Sequence, residues 1–187
     1  MASFSALGIV LRRIEYGEAS QLFHFYTREH GKVEAVSRGA KKPLSKLRGH
    51  LEPFGVVQIL VAGGRRLDQL AGAQLEQSFS AIPLDLKKIA LASFGLELVD
   101  ALTRPGVADA RIFELLVRYL RAVDETPTHH LQAQTFQDHF ALQLFDFLGL
   151  RPTPEVRRSS RRLHTFLVSQ LEAEPVAAQF LASLSHS

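Results

Sequence analysis

The chain has 187 residues, 46% hydrophobic and 22% charged, the balance of an ordinary soluble globular protein that buries its core unaided. It has no cysteine, which excludes disulfides, thiolate zinc sites, iron–sulfur clusters and cysteine nucleophiles, and fits a reducing cytoplasm. The net charge of +3 is too small a total to mark a nucleic-acid binder by itself. Leu7 to Tyr16 is rich in β-branched residues and reads as a strand, broken by Gly17-Glu18. Ser20 to Thr27 is a second strand, with Phe23 and Phe25 on one face and His24 and Tyr26 on the other. Arg28 to Gly31 is a turn, with positive φ expected at Gly31, and Lys32 to Ser37 is a third strand. Arg38 to His50 is polar and interrupted by Gly39, Pro43 and Gly49, so it reads as a long loop. Phe54 to Ala62 is the most hydrophobic strand, and Gly63-Gly64 turns it into a fifth, Leu67 to Phe79.

Five strands with short turns and one long loop suit a small barrel such as the OB-fold. Near Pro83 the period changes. From Leu84 to Leu102, Leu86, Ile89, Ala90, Phe94, Leu98 and Leu102 recur at helical steps. Ala110 to Val123 and Leu131 to Leu148 repeat the pattern, the latter ending at Gly149, a C-cap residue. A further helix is predicted from Leu163 to Glu172, and a short one after Pro175. The expected fold class is α+β: a five-stranded OB-fold barrel over 1–80, followed by an all-helical domain over 81–187.

Charge is distributed unevenly. Residues 28–48 carry Arg28, Lys32, Arg38, Lys41, Lys42, Lys46 and Arg48 against Glu29 and Glu34, a balance of +5. Residues 151–162 carry Arg151, Arg157, Arg158, Arg161 and Arg162 against Glu155, or +4. Cations on a loop follow a sugar-phosphate backbone and release its counterions. These residues, Arg151 aside, are the candidate DNA contacts, although a solvated basic loop, or capping of the preceding helix by the arginines, accounts for the same charges. His24 and Tyr26 are the candidates for base stacking, while Phe23 and Phe25 are expected to fill the barrel. No nucleotide, hydrolase or metalloprotease motif occurs, and the histidines have no recognised ligand spacing, so neither enzyme activity, metal nor cofactor is expected. Gly63-Gly64-Arg65-Arg66 joins two strands and reads as a hairpin turn. Met1 to Leu7 lacks the features of a signal peptide, and no window is apolar enough for a membrane span, so a cytoplasmic protein without a membrane partner is expected.

Tyr16-Gly17-Glu18, Ser20, Thr27-Arg28-Glu29-His30-Gly31-Lys32, Arg38-Gly39-Ala40-Lys41-Lys42 and Leu51-Glu52-Pro53-Phe54 stand in an order that resembles the N-terminal barrel of the bacterial RecO family. Leu96 to Asp100 and Phe140 to Leu150 resemble its helical region. The resemblance implies a non-enzymatic mediator that binds single- and double-stranded DNA and anneals strands. With RecR it helps load RecA onto DNA coated by single-strand binding protein (SSB). It places Arg38, Lys41, Lys42, Lys46 and Arg48 in the DNA-contacting loop. Many relatives carry a four-cysteine zinc segment where Arg151 to Arg162 stands here, which implies a short form without it. Some have Arg-Arg before the residue matching Phe140, in a pocket for the acidic C-terminal tail of SSB. With Asp138-His139 in that place, the contact is either lost or moved to Arg111, Arg118 or Arg121. Two alternatives stand beside this reading: a protein-interaction module with weak DNA binding, and a general OB-fold single-strand binder.

Overall fold

A computed structural model describes residues 3–18, 20–38, 51, 53–171 and 174–184. Strands β1 (Ser3–Tyr16), β2 (Ser20–Thr27), β3 (Gly31–Arg38), β4 (Gly55–Ala62) and β5 (Asp68–Ser78) close into a barrel in the order β1-β2-β3-β5-β4. All neighbours are antiparallel except β3 and β5, which meet in a short parallel seam at Ala35↔Asp68 and Val36↔Gln69. The barrel is the OB-type architecture expected. β1 begins four residues earlier than its composition predicts, because Ser3 to Ile9 pair with β4, a partner more than forty residues away. Its register shifts between Val10 and Arg12, a bulge that bends the strand so that one half serves β4 and the other β2.

The interior is filled by Ala6, Val10, Phe23, Phe25, Val33, Ala35, Val57, Ile59, Val61 and Leu70. The Phe23 and Phe25 rings stack 5.8 Å apart, as their shared face requires. The β2–β3 turn is built by the Thr-Arg-Glu-His-Gly-Lys motif. The buried Thr27 hydroxyl donates to the Gly31 carbonyl at 2.9 Å and accepts from the His30 amide at 3.0 Å. Glu29 accepts from the Leu7 amide at 3.1 Å, and the His30 ring lies 4.3 Å from Phe4. Gly31 has φ +65°, and a Cβ there would stand 2.2 Å from the Val107 carbonyl oxygen. The motif is therefore a structural device: it closes the turn and seats a segment from far along the chain.

A 3-10 turn over Ile82–Leu84 follows, with Pro83 inside it. Then come α1 (Leu86–Leu102), α2 (Ala110–Glu125), α3 (Ala133–Leu148), α4 (Pro154–Arg157), α5 (Ser160–Gln170) and α6 (Val176–Leu184). Two compact units result: Met1–Ser78 with Thr103–Phe113, and Phe79–Leu102 with Glu114–Ser187. In the second, α1 is buried nearly all round, through Ala90, Leu91, Ala92, Phe94, Gly95, Leu96, Leu98 and Val99. That is the signature of a central helix rather than of a one-faced amphipathic one. Leu86, expected on the inner face, is 62% exposed. The buried Lys88 ammonium donates to the Asp124 carbonyl at 2.6 Å. The Asp124 carboxylate accepts from the Ala81 and Ile82 amides at 2.7 and 2.9 Å. α3 ends as predicted at Gly149, with φ 74° and its N–H on the Asp146 and Phe145 carbonyls. α4 and the early start of α5 were not legible as periodicity. Pro154 supplies the fixed φ of a first helical turn, and the Ser159 side chain caps α5 by accepting from the Arg162 amide. Among the described residues, no helix is long and apolar enough to cross a membrane.

Candidate nucleic-acid interface and helical groove

The basic stretch of residues 28–48 is divided by β3. Arg28 precedes the strand, Lys32 is its second residue and Arg38 its last. Seven strand steps separate Gly31 from Arg38, about 23 Å at the usual rise. Arg28 and Lys32 thus stand at one end of the barrel, and β3 ends with Arg38 at the other. Lys41, Lys42, Lys46 and Arg48 lie outside the described residues. The Lys32 carbonyl accepts from the Gly106 amide at 3.4 Å, so its backbone is also engaged by the Thr103–Phe113 segment. Midway along the sheet, β1 contributes two exposed cations that sequence reasoning passed over, Arg12 and Arg13, in register with His24 and Phe23. Their signal was an arginine pair inside a β-branched strand. Arg65 and Arg66 are exposed in the β4–β5 turn, where the Asp68 carboxylate accepts from the Gly64 amide at 3.2 Å. That geometry is a hairpin turn.

The two stacking candidates fare differently. Tyr26 is fully buried. Its hydroxyl donates to the Asp109 carbonyl at 3.2 Å, and burial pushes its pKa up to about 12. Tyr26 does point away from Phe23 and Phe25, but Thr103–Phe113 covers that face, so it offers no ring to a base. This corrects the sequence-based expectation. The His24 side chain is 12% exposed, with Nε2 3.9 Å from the Glu34 carboxylate.

The arginine segment also divides. Arg157 grips Asp146 through two bonds of 2.7 and 2.9 Å, which hold that carboxyl below its ordinary range. Arg162 donates to Glu155 at 2.9 Å. These two charges are matched locally and tie α4 and α5 to α3 and to each other. Arg151, Arg158 and Arg161 are exposed and make no ion pair with a described residue. Replacing Arg157 with Ala is expected to lower the melting temperature slightly and leave DNA affinity unchanged. Reversing Arg158 and Arg161 to Glu is expected to do the opposite. Thermal melts and a gel shift on the same variants check both; loss of DNA affinity in Arg157→Ala alone would contradict the division.

Between α2 and α3 lies a cavity of about 330 Å³, walled by Leu115, Tyr119, Phe136 and Phe140 and rimmed by Arg118, Gln143 and His139. Arg118 Nη2 donates to the Gln143 side-chain oxygen at 3.5 Å, and Gln143 touches the His139 ring. At its floor, the buried Tyr119 ring sits 4.4 Å from Phe140, and its hydroxyl donates to the Leu91 carbonyl at 2.6 Å. Of the three arginines proposed for an acidic tail, only Arg118 lines this cavity. Arg111 is held by Asp109 at 2.6 Å, and Arg121 is exposed but outside the lining. His139 stands on the rim and joins Arg118 there through Gln143. An apolar trough with a cation at its edge takes a ligand that is apolar in its body and acidic at its end.

Comparison with known proteins adds two family matches. Residues 1–79 match the family described as recombination protein O N terminal, and residues 83–162 match recombination protein O C terminal. The DNA repair protein RecO of Gloeothece citriformis is 32% identical over 97% of this chain and 60% of its own length. That of Pelotomaculum thermopropionicum is 36% identical over 83% of this chain and 59% of its own. The chain spans about three fifths or less of the length of the relatives cited here. With barrel and helical region each matched to the same family, the chain belongs to the RecO family of DNA repair proteins.

Proposed function

We propose that the chain is a DNA-binding recombination mediator. In this reading it binds single- and double-stranded DNA, anneals complementary strands and, with RecR, helps RecA displace SSB from DNA. The observation that carries it is the closed barrel, whose β1 presents exposed Arg12 and Arg13 midway along the sheet and whose β3 ends at Arg38, just before the basic stretch of Lys41, Lys42, Lys46 and Arg48. Single-strand binders of this architecture combine such a cationic path with aromatic platforms. Arg158, Arg161 and Arg151 add a second cationic surface. The groove holding Arg118 and His139 suits the acidic tail of SSB, with the carboxylates at the rim and the apolar side chains inside.

A salt-titrated binding and annealing assay tests the reading. If about five phosphates on a single strand are neutralised, log K falls against log salt with a slope near −3.5. Annealing of complementary oligonucleotides is expected to accelerate. A passive strand coater slows pairing, and that outcome would reassign the protein to general single-strand binding.

A further inference from the structure

The chain has three tyrosines and no tryptophan. Tyr26 and Tyr119 are buried, each with its hydroxyl on a backbone carbonyl. Tyr16, the last residue of β1, is 48% exposed, and it is the only exposed phenylalanine or tyrosine ring among the described residues of the barrel unit. We infer that Tyr16 is the platform on which the outer face of β1–β2–β3 stacks a base of single-stranded DNA.

Register argues for this. Directly paired residues of adjacent strands share one face of a sheet. Tyr16 pairs with Ser20, and Ser20 pairs with Arg38. The next outward-facing row is Ile14, Leu22 and Val36, and the one after it Arg12, His24 and Glu34. The ring therefore stands beside a small serine, with no bulky neighbour across the strand to occupy its surface. Arg12, exposed on the same face, stands four residues down β1, about 13 Å away. An aromatic surface with an exposed cation at that distance matches a stacked base joined to its neighbours by phosphates. Glu15 turns to the opposite face, where it accepts from Gln21 at 3.2 Å. A single strand is the occupant that both features select, because a duplex keeps its base faces inside the stack.

This inference rests on the DNA-binding reading, and one experiment separates the two. The full chain is titrated with a dT oligonucleotide at low salt. Tyrosine emission and an independent mobility or anisotropy measurement are followed together. Emission is expected to be quenched as binding saturates, since Tyr16 is the exposed fluorophore. Tyr16→Phe is expected to keep its affinity and lose the quench, because phenylalanine still stacks but hardly emits. Tyr16→Ala is expected to bind single strands about 5- to 150-fold more weakly, the range seen for one stacked base. Its duplex affinity should stay within about twofold of wild type on the same stacking argument. Saturable binding without a quench, or an equal loss on single and double strands in Tyr16→Ala, would overturn the Tyr16 assignment while DNA binding stands. No binding by the wild-type chain in either measurement would overturn both.

Discussion

Replacing Lys41, Lys42 and Lys46 together with glutamate is expected to cut single-strand DNA affinity about a hundredfold or more at 0.1 M salt. Each phosphate contact on a single strand contributes about 0.7 to the salt exponent. Losing three of five brings the slope from near −3.5 to near −1.4, and at 0.1 M it removes about two decades of affinity. Reversal adds repulsion to that loss. The effect should not depend on base sequence, because phosphate contacts carry none. Arg28→Glu is the matched control. It lies in the same basic stretch but at the other end of β3, about 23 Å away, so its effect should be several-fold at most. Fluorescence anisotropy across a salt series, with thermal melts to confirm folding, reads both. Equal losses in the two variants would mean that the path follows the whole length of β3. Unchanged affinity in the triple variant would remove the loop from the interface.

That control follows from what linear reading misses. Net charge along a sequence window ignores the geometry between its members, and β3 takes Arg28 and Arg38 to opposite ends of the barrel. Local signals were legible because their causes are local. The alternation of β2 put Phe23 and Phe25 in the core, Gly31 took positive φ, and Gly149 capped α3. Tyr26 shows the limit. Period-2 alternation placed it outside the barrel, but only the return of Thr103–Phe113 decides that the outside is dry there. Burial by a segment some eighty residues later leaves no mark on the strand itself. The same holds for Arg157 and Arg162, whose partners Asp146 and Glu155 become neighbours only once α4 and α5 form. It holds for α1 too, where a single apolar stripe was readable but burial on its other faces depends on α3 and α6. The Thr-Arg-Glu-His-Gly-Lys motif carried the family resemblance, yet its Thr27 builds the turn and its Glu29 bonds the Leu7 amide of β1. A motif identified by likeness is not thereby a ligand site.

The largest stability effect is expected at Gly95, in the middle of α1. A glycine inside a helix costs about 1 kcal/mol relative to alanine, so by helix propensity alone Gly95→Ala should stabilise the protein. Packing reverses the sign. A Cβ at this position would meet the Tyr119 ring at 2.6 and 2.8 Å. That ring has little room to yield, being buried, set against Phe140 and tied through its hydroxyl to the Leu91 carbonyl four residues before Gly95. Overpacking of this kind costs about 1–3 kcal/mol, which exceeds the helix gain except at its lower end. Gly95→Ala is therefore expected to lose about 1 kcal/mol net, and Gly95→Val, β-branched and larger, about 3 kcal/mol. Each kcal/mol should lower the melting temperature by about 2–4 °C in a chain of this size. Tyr119 also walls the α2–α3 cavity, so the displaced ring encroaches on it. Gly95→Ala should then weaken capture of an acidic peptide there while the barrel's affinity for DNA stays as it was. Tyr119→Leu supplies the check. It removes the ring atoms that clash, so the double variant should lose less than the two single losses added together. Denaturant melts of the four proteins measure that coupling. A stabilised Gly95→Ala, or strictly additive losses, would mean that α1 tolerates a side chain here and that this glycine serves some purpose other than seating Tyr119.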